Sequence, residues 1–262
     1  MLIKHHIHVP EIFAKNHEQG FLLLSDLGST QYLDVLDDNN AMALYQQAID
    51  SLLKLQTTPQ TTPLPKYSQA LLHDEMCLFD EWFIGAHLGY DLNDKQQRVL
   101  RETRQWLLGY ALEQPQVMVH RDYHSRNLML TEENNPGIID FQDAVHGPFS
   151  YDLVSLLKDC YICWPDDFID ALCDYFLTQY NKIHHDTLTL KQFMNWFHTM
   201  TAQRHLKTIG IFCRLHYRDD KSNYLNDIPR TLGYLKKVAD MYPELYEFNQ
   251  LLTSLQPKIK AR

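Results

Sequence analysis

Three short apolar runs, QVMVH (Gln116–His120), NLMLT (Asn127–Thr131) and GIIDF (Gly137–Phe141), follow one another closely in a chain whose other apolar residues recur mostly at helical intervals. Each is too short for a stable helix and is bounded by turn-forming residues, so each reads as a strand. The turn EENNPG pairs the second run with the third as a hairpin and brings Asn127 and Asp140 to one edge. On either side the pattern is helical: roughly 38–56, 74–87 and 94–112 before the strands, then 151–161, 166–183, 188–216, 226–240 and 243–255. Asp74 and Asp94 stand where helix N-caps are wanted. GFLLLSDLG (Gly20–Gly28) reads as a further buried strand and the turn leaving it, and TTPQTTPLPKY as a loop. The class is α+β, a largely helical body around a small β element, and no linker or repeat marks an independent second domain.

Composition narrows the functions open to such a body. The net charge is −9 and no block of basic residues occurs, which argues against nucleic acid and anionic membranes as partners. No stretch reaches the ~20 apolar residues that span a bilayer, and the amino terminus lacks a secretory pattern. Five scattered cysteines suggest reduced thiols in the cytoplasm. Cys160 and Cys163 form a C-x-x-C in a helix-like segment ending at Trp164-Pro165; one pair is half a zinc site, and two packed thiols are expected.

The loop VMVHRDYHSRNLML holds the polar residues that matter. Asp122 and Asn127 stand five positions apart between two strands, and Asp140 ends the third. An amide oxygen and a carboxylate suit Mg²⁺, which keeps waters and shares phosphate oxygens. A carboxylate before them can orient an approaching hydroxyl and accept its proton. That order matches the general arrangement of kinases, a loop Asp, an Asn five residues later and a downstream metal-binding Asp, and points to phosphoryl transfer from ATP. His120 is expected to fix the loop by hydrogen bonds without titrating. Asp152 is expected to cap the following helix or brace the loop, and Asp143 to assist the metal or cap a turn.

HRDYHSRNLML and GIIDFQDAVHGPFSYDLVSLLKD resemble the catalytic and metal-binding segments of aminoglycoside phosphotransferase-like and choline-kinase-like small-molecule kinases. GFLLLSDLG, TQYLDVL and QRHLKTIGIFCRLHYRDDKSNYLNDIPRTLGYL are similar to the anomeric sugar kinases acting on N-acetylmuramate and N-acetylglucosamine. The resemblance runs from about Val9 to the final helices. It implies a protein-kinase-like fold, with ATP and Mg²⁺ phosphorylating a small-molecule sugar in cell-wall recycling. Asp122 would be the catalytic base, Asn127 and Asp140 the metal ligands, and Ser25, Asp26 and Leu27 the hinge that hydrogen-bonds adenine. Tyr123, His124 and Arg204 or His205 could face the sugar.

Kinases of this kind open with a β-rich lobe carrying a Gly-rich loop and a strand lysine. No glycine precedes Gly20 here, and Lys4 and Lys15 lack an adjoining strand pattern. The expectation is therefore a chain in which 1–28 are the remnant of the N-terminal lobe and hinge, 29–262 are the helical C-terminal lobe, and the clamp lies upstream of Met1. Weak or absent kinase activity follows, as does uncovered apolar surface on FLLL. The alternatives are an aminoglycoside or choline-like alcohol kinase, or a noncatalytic pseudokinase-like binding module.

Overall fold

A computed structural model describes residues 2–59, 63–184 and 188–260, with side chains described as far as residue 256. Residues 60–62 of the expected proline-rich loop lie outside that set. The chain divides into two compact units, one of Met1–Lys66 with Gln116–Phe193, the other of Tyr67–Pro115 with Met194–Arg262.

In the first unit, β1 (Ile12–Asn16) pairs antiparallel with β2 (Phe21–Leu24). The strand expected at 21–24 forms, but it is not buried: Phe21 is 68% exposed and Leu22, Leu23 and Leu24 are exposed too. A two-stranded ribbon with no layer on either face leaves both sets of side chains in solvent. A short helix, α1 (Tyr32–Val35), precedes α2 (Ala41–Thr57). α2 buries Tyr45, Ala48, Ile49, Leu52 and Leu53, a stripe at three- and four-residue spacing. That stripe packs on α6 (Asp166–His184), whose Ile169, Leu172, Cys173 and Phe176 form the matching face. Trp164 donates its indole N–H to the Tyr45 hydroxyl at 2.9 Å, and Phe149 packs against both Phe176 and Tyr180 at ring distances of 5.9 and 5.1 Å. Burial of side chains this large contributes about 1.5–3 kcal/mol each.

The hairpin read from the sequence is present: β4 (Leu128–Met129) pairs with β5 (Gly137–Ile138), Leu128 opposite Ile138. The first run, β3 (Gln116–Val119), pairs instead with β6 (Val145–Pro148). β6 was not expected, since VHGP shows no apolar alternation and carries both Gly and Pro. α5 (Tyr151–Leu157) follows, buried along its whole length. Residues 158–165 are not helical, Cys160 is buried and Cys163 is exposed, so the two thiols are not packed together as expected.

The second unit is helical. α3 (Gln69–Leu78) starts earlier than the sequence suggested, because Ser68 caps it by accepting from the Leu71 N–H at 3.2 Å; Asp74 lies mid-helix. A π-helical segment continues it over Phe79–His87. α4 (Asp94–Leu112) is capped by Asn93, in a reciprocal box with Gln96, and not by Asp94. α7 (Leu190–Asp219), most of which belongs to this unit, α8 (Ile228–Met241) and α9 (Tyr246–Lys260) complete it. Lys207 and Glu75 form a buried ion pair at 3.1 Å, and Gly210 of α7 abuts the Leu78 backbone. Among the described residues no helix is long and apolar enough to cross a membrane.

Candidate active site

β3 ends with Val119 fully buried and delivers His120 into the loop that connects it to β4. The Asp152 carboxylate, itself fully buried near the start of α5, accepts from the backbone N–H of His120 at 2.6 Å and of Arg121 at 3.0 Å. Arg121 holds φ at +77°, a conformation that costs a side-chain-bearing residue about 1–3 kcal/mol. Two charge-assisted hydrogen bonds from one carboxylate offset that strain. Asp152 thus braces the loop, and the position before α5's first turn belongs to Ser150.

The His120 ring points into the same turn. Its Nε2 lies 2.9 Å from the Ile139 carbonyl, and the Asp122 N–H donates to its Nδ1 at 3.3 Å. An acceptor on one side and a donor on the other assign the neutral tautomer with the proton on Nε2. Burial foremost lowers its pKa to about 4, so it stays uncharged near neutrality and acts as a spacer between the loop and β5.

Asp122 is half-buried at the head of a tight turn in which the His124 N–H donates to the Asp122 carbonyl. The Asn127 amide closes that turn, its Nδ2 donating to the same carbonyl at 2.9 Å and lying 3.5 Å from Asp140 Oδ2. With its donors so engaged, Asn127 presents Oδ1 as the atom for a cation. Asp140 is exposed at the end of β5 with φ at +66°, and its Oδ1 accepts from Gln142 at 2.7 Å. The Ile139 N–H bonds the Asn127 carbonyl at 3.1 Å, which fixes the two residues side by side. Among the described residues no three His, Cys, Asp or Glu side chains gather as a metal site. A hard cation held by Asn127 and Asp140 would therefore take most of its ligands from water and phosphate, as Mg²⁺ does.

The segment after β2 lies along this hairpin. The Leu130 N–H donates to the Thr30 carbonyl at 2.8 Å, and Gln31 bridges to Met129. Gly137 makes room for Leu27: a Cβ there would stand 2.9 Å from Leu27 Cδ1. Ser25 is tied to Glu11 through its N–H at 2.9 Å and its hydroxyl at 2.8 Å, and Asp26 Oδ1 accepts from the Gly28 N–H. The Ser25 carbonyl and the Leu27 N–H have no hydrogen-bond partner among the described residues.

The other expected residues are placed differently. Tyr123 is fully buried and donates its hydroxyl to the Ala48 carbonyl at 2.8 Å, an anchor for the loop and not a surface. His124 is half-buried with its ring edge-on to Tyr161 at 5.3 Å. Asp143 is exposed, and its carbonyl faces the Arg121 guanidinium at 3.5 Å. Arg204 and His205 lie on α7 in the second unit; both are buried, and His205 Nδ1 is 2.6 Å from the Thr201 carbonyl. Sequence reasoning passed over Asp159, which is 1% exposed and accepts from the Ser125 N–H at 3.0 Å and the Tyr161 N–H at 2.9 Å. A lone acid inside an apolar run, LLKDC, was the available signal.

The phosphotransferase enzyme family model, APH, matches residues 2–190. An N-acetylmuramate/N-acetylglucosamine kinase of Pseudomonas putida is 44% identical over 256 residues, covering 97% of this chain and 75% of that protein. One of the same name from Neisseria meningitidis is 40% identical, covering 95% and 76%. A choline/ethanolamine kinase family protein from Mesorhizobium loti superposes with a TM-score of 0.65 at 13% identity, over 95% of this chain and 79% of that one. The ADP-bound aminoglycoside phosphotransferase APH(2'')-Ib gives 0.56 at 15%, over 88% and 76%. The fold is thus the protein-kinase-like one of these enzymes, mostly helical with small sheets, and the chain belongs to the APH phosphotransferase family.

Proposed function

We propose that this protein transfers the terminal phosphoryl group of ATP to the anomeric hydroxyl of an N-acetylated amino sugar, N-acetylmuramate or N-acetylglucosamine. The observation that carries this reading is the braced loop with Asp122, Asn127 and Asp140 at one edge, in a chain matched over nearly its full length by kinases of those two sugars. Asp122 orients the sugar hydroxyl and accepts its proton as the new O–P bond forms and the bond to ADP breaks. Asn127 and Asp140 would hold Mg²⁺, whose chemistry is to offset negative charge on phosphoryl oxygens. The Ser25 carbonyl and Leu27 N–H supply an acceptor and a donor side by side, the complement of an adenine edge. In this reading 1–28 belong to the N-terminal lobe and hinge and 29–262 to the helical C-terminal lobe, and the work is done in the cytoplasm.

The test is a direct transfer assay. Labelled ATP, Mg²⁺ and each sugar are incubated with the protein, and sugar 1-phosphate is separated by chromatography. Product is expected with at least one of the two sugars. The Asp122→Asn variant should lower the rate about 10²–10⁴-fold while leaving sugar affinity nearly unchanged. Transfer to an aminoglycoside or choline with none to either sugar would overturn the reading.

A further inference from the structure

Arg126 sits in the catalytic loop immediately before Asn127, and its guanidinium lies over the Tyr161 ring, 3.9 Å from the centroid. It is half-buried, and among the described residues it has neither an ion-pair partner nor a hydrogen bond. Arg104 and Arg230, by contrast, are paired, with Asp80 at 2.6 Å and with Asp227 at 3.2 Å.

The platform beneath Arg126 is held as firmly as the loop. Asp159 receives the Ser125 N–H on one carboxylate oxygen and the Tyr161 N–H on the other. One buried acid therefore sets the residue before Arg126 and the ring that Arg126 covers. His124 contacts the same ring from its edge. A stacked guanidinium gives its face to the ring and keeps its N–H donors in plane, a fork that matches a carboxylate in bidentate fashion.

We propose that Arg126 is a specificity residue that recognises the carboxylate of an acidic amino sugar and sets the preference for it over a neutral one. This rests on the sugar-kinase reading, in which the two candidate substrates differ by the lactyl carboxylate that N-acetylmuramate carries and N-acetylglucosamine lacks. The structure offers that group a preorganised cation within the loop that also carries Asp122.

The test measures dissociation constants by calorimetry for N-acetylmuramate, its methyl ester and N-acetylglucosamine, with the wild-type protein, Arg126→Gln and Arg126→Lys. Wild type should bind the acid about 10–100-fold more tightly than its ester, the strength of a charge-assisted pair. In Arg126→Gln that difference should vanish, and Arg126→Lys should restore part of it as a point charge. Equal weakening of all three ligands would mean that Arg126 only shapes the loop, and an unchanged acid-to-ester ratio would mean that the carboxylate lies elsewhere; either overturns the proposal. Wild type binding none of the three would overturn the sugar-kinase reading and this inference with it. Binding of the neutral sugar by Arg126→Gln also shows that the variant is folded.

Discussion

His120 shows how a titratable ring becomes a fixed strut. Its two nitrogens are committed to the Ile139 carbonyl and the Asp122 N–H, and burial lowers its pKa to about 4. In the unfolded chain a histidine takes up a proton near pH 6.5, so between those values the unfolded state binds more protons than the folded one. Stability contributed by neutral His120 is complete above pH 6.5 and declines as pH falls towards 4, by at most about 3 kcal/mol. Urea unfolding of wild type and His120→Gln at pH 7, 5.5 and 4.5 checks this: the acid limb should be shallower in the variant, and parallel limbs would refute the assignment. The sequence suggested that His120 fixes the loop by hydrogen bonds, but not that one of its partners is the Ile139 carbonyl on the far side of the hairpin turn. The Asp159 brace was not legible, because its partners, Ser125 and Tyr161, show their need only through backbone N–H groups that sequence patterns do not display.

Among the elements, α7 carries the tightest approach. A Cβ on Gly210 would fall within 3 Å of the Leu78 carbonyl carbon and oxygen, at the end of α3. Alanine would gain about 1 kcal/mol of helix propensity, but backbone atoms do not yield as a flexible side chain does. Gly210→Ala should therefore lower the unfolding free energy by about 1–3 kcal/mol, read from the shift in urea midpoint. Gly109, with open space around it in α4, is the control: Gly109→Ala should be neutral or stabilising. The helices themselves were readable from apolar spacing, since amphipathic stripes repeat over many residues. Their starts were not, because Ser68 and Asn93 outcompete nearby aspartates for the capping position. β6 escaped notice because pairing with β3, and not its own composition, makes it a strand.

At the scale of the molecule, the β1–β2 ribbon presents Ile12, Phe13 and the run Phe21 to Leu24 to solvent. Contiguous apolar surface of this kind invites association. The double variant Phe21→Ser, Leu23→Ser should bind less of an apolar dye and scatter less light on concentration; unchanged scattering would locate the adhesive surface elsewhere. The sequence offered two expectations for FLLL, a buried strand and an uncovered apolar surface, and the exposure of all four residues bears out the second, since a run of leucines alone says nothing about whether a second layer exists. The two compact units were equally hidden. Each is assembled from two separated stretches of chain, and no composition change marks the crossings near residues 66, 115 and 193.

Asp152 has a consequence for how the protein is made. The carboxylate that shapes the turn at His120 and Arg121 lies about thirty positions downstream of it. While the ribosome is still synthesising the β5 region, the nascent chain already contains Asp122 and Asn127 but nothing to hold Arg121 in its left-handed conformation. The brace on this loop can form only after Asp152 has left the exit tunnel, well after the loop's own residues have been joined.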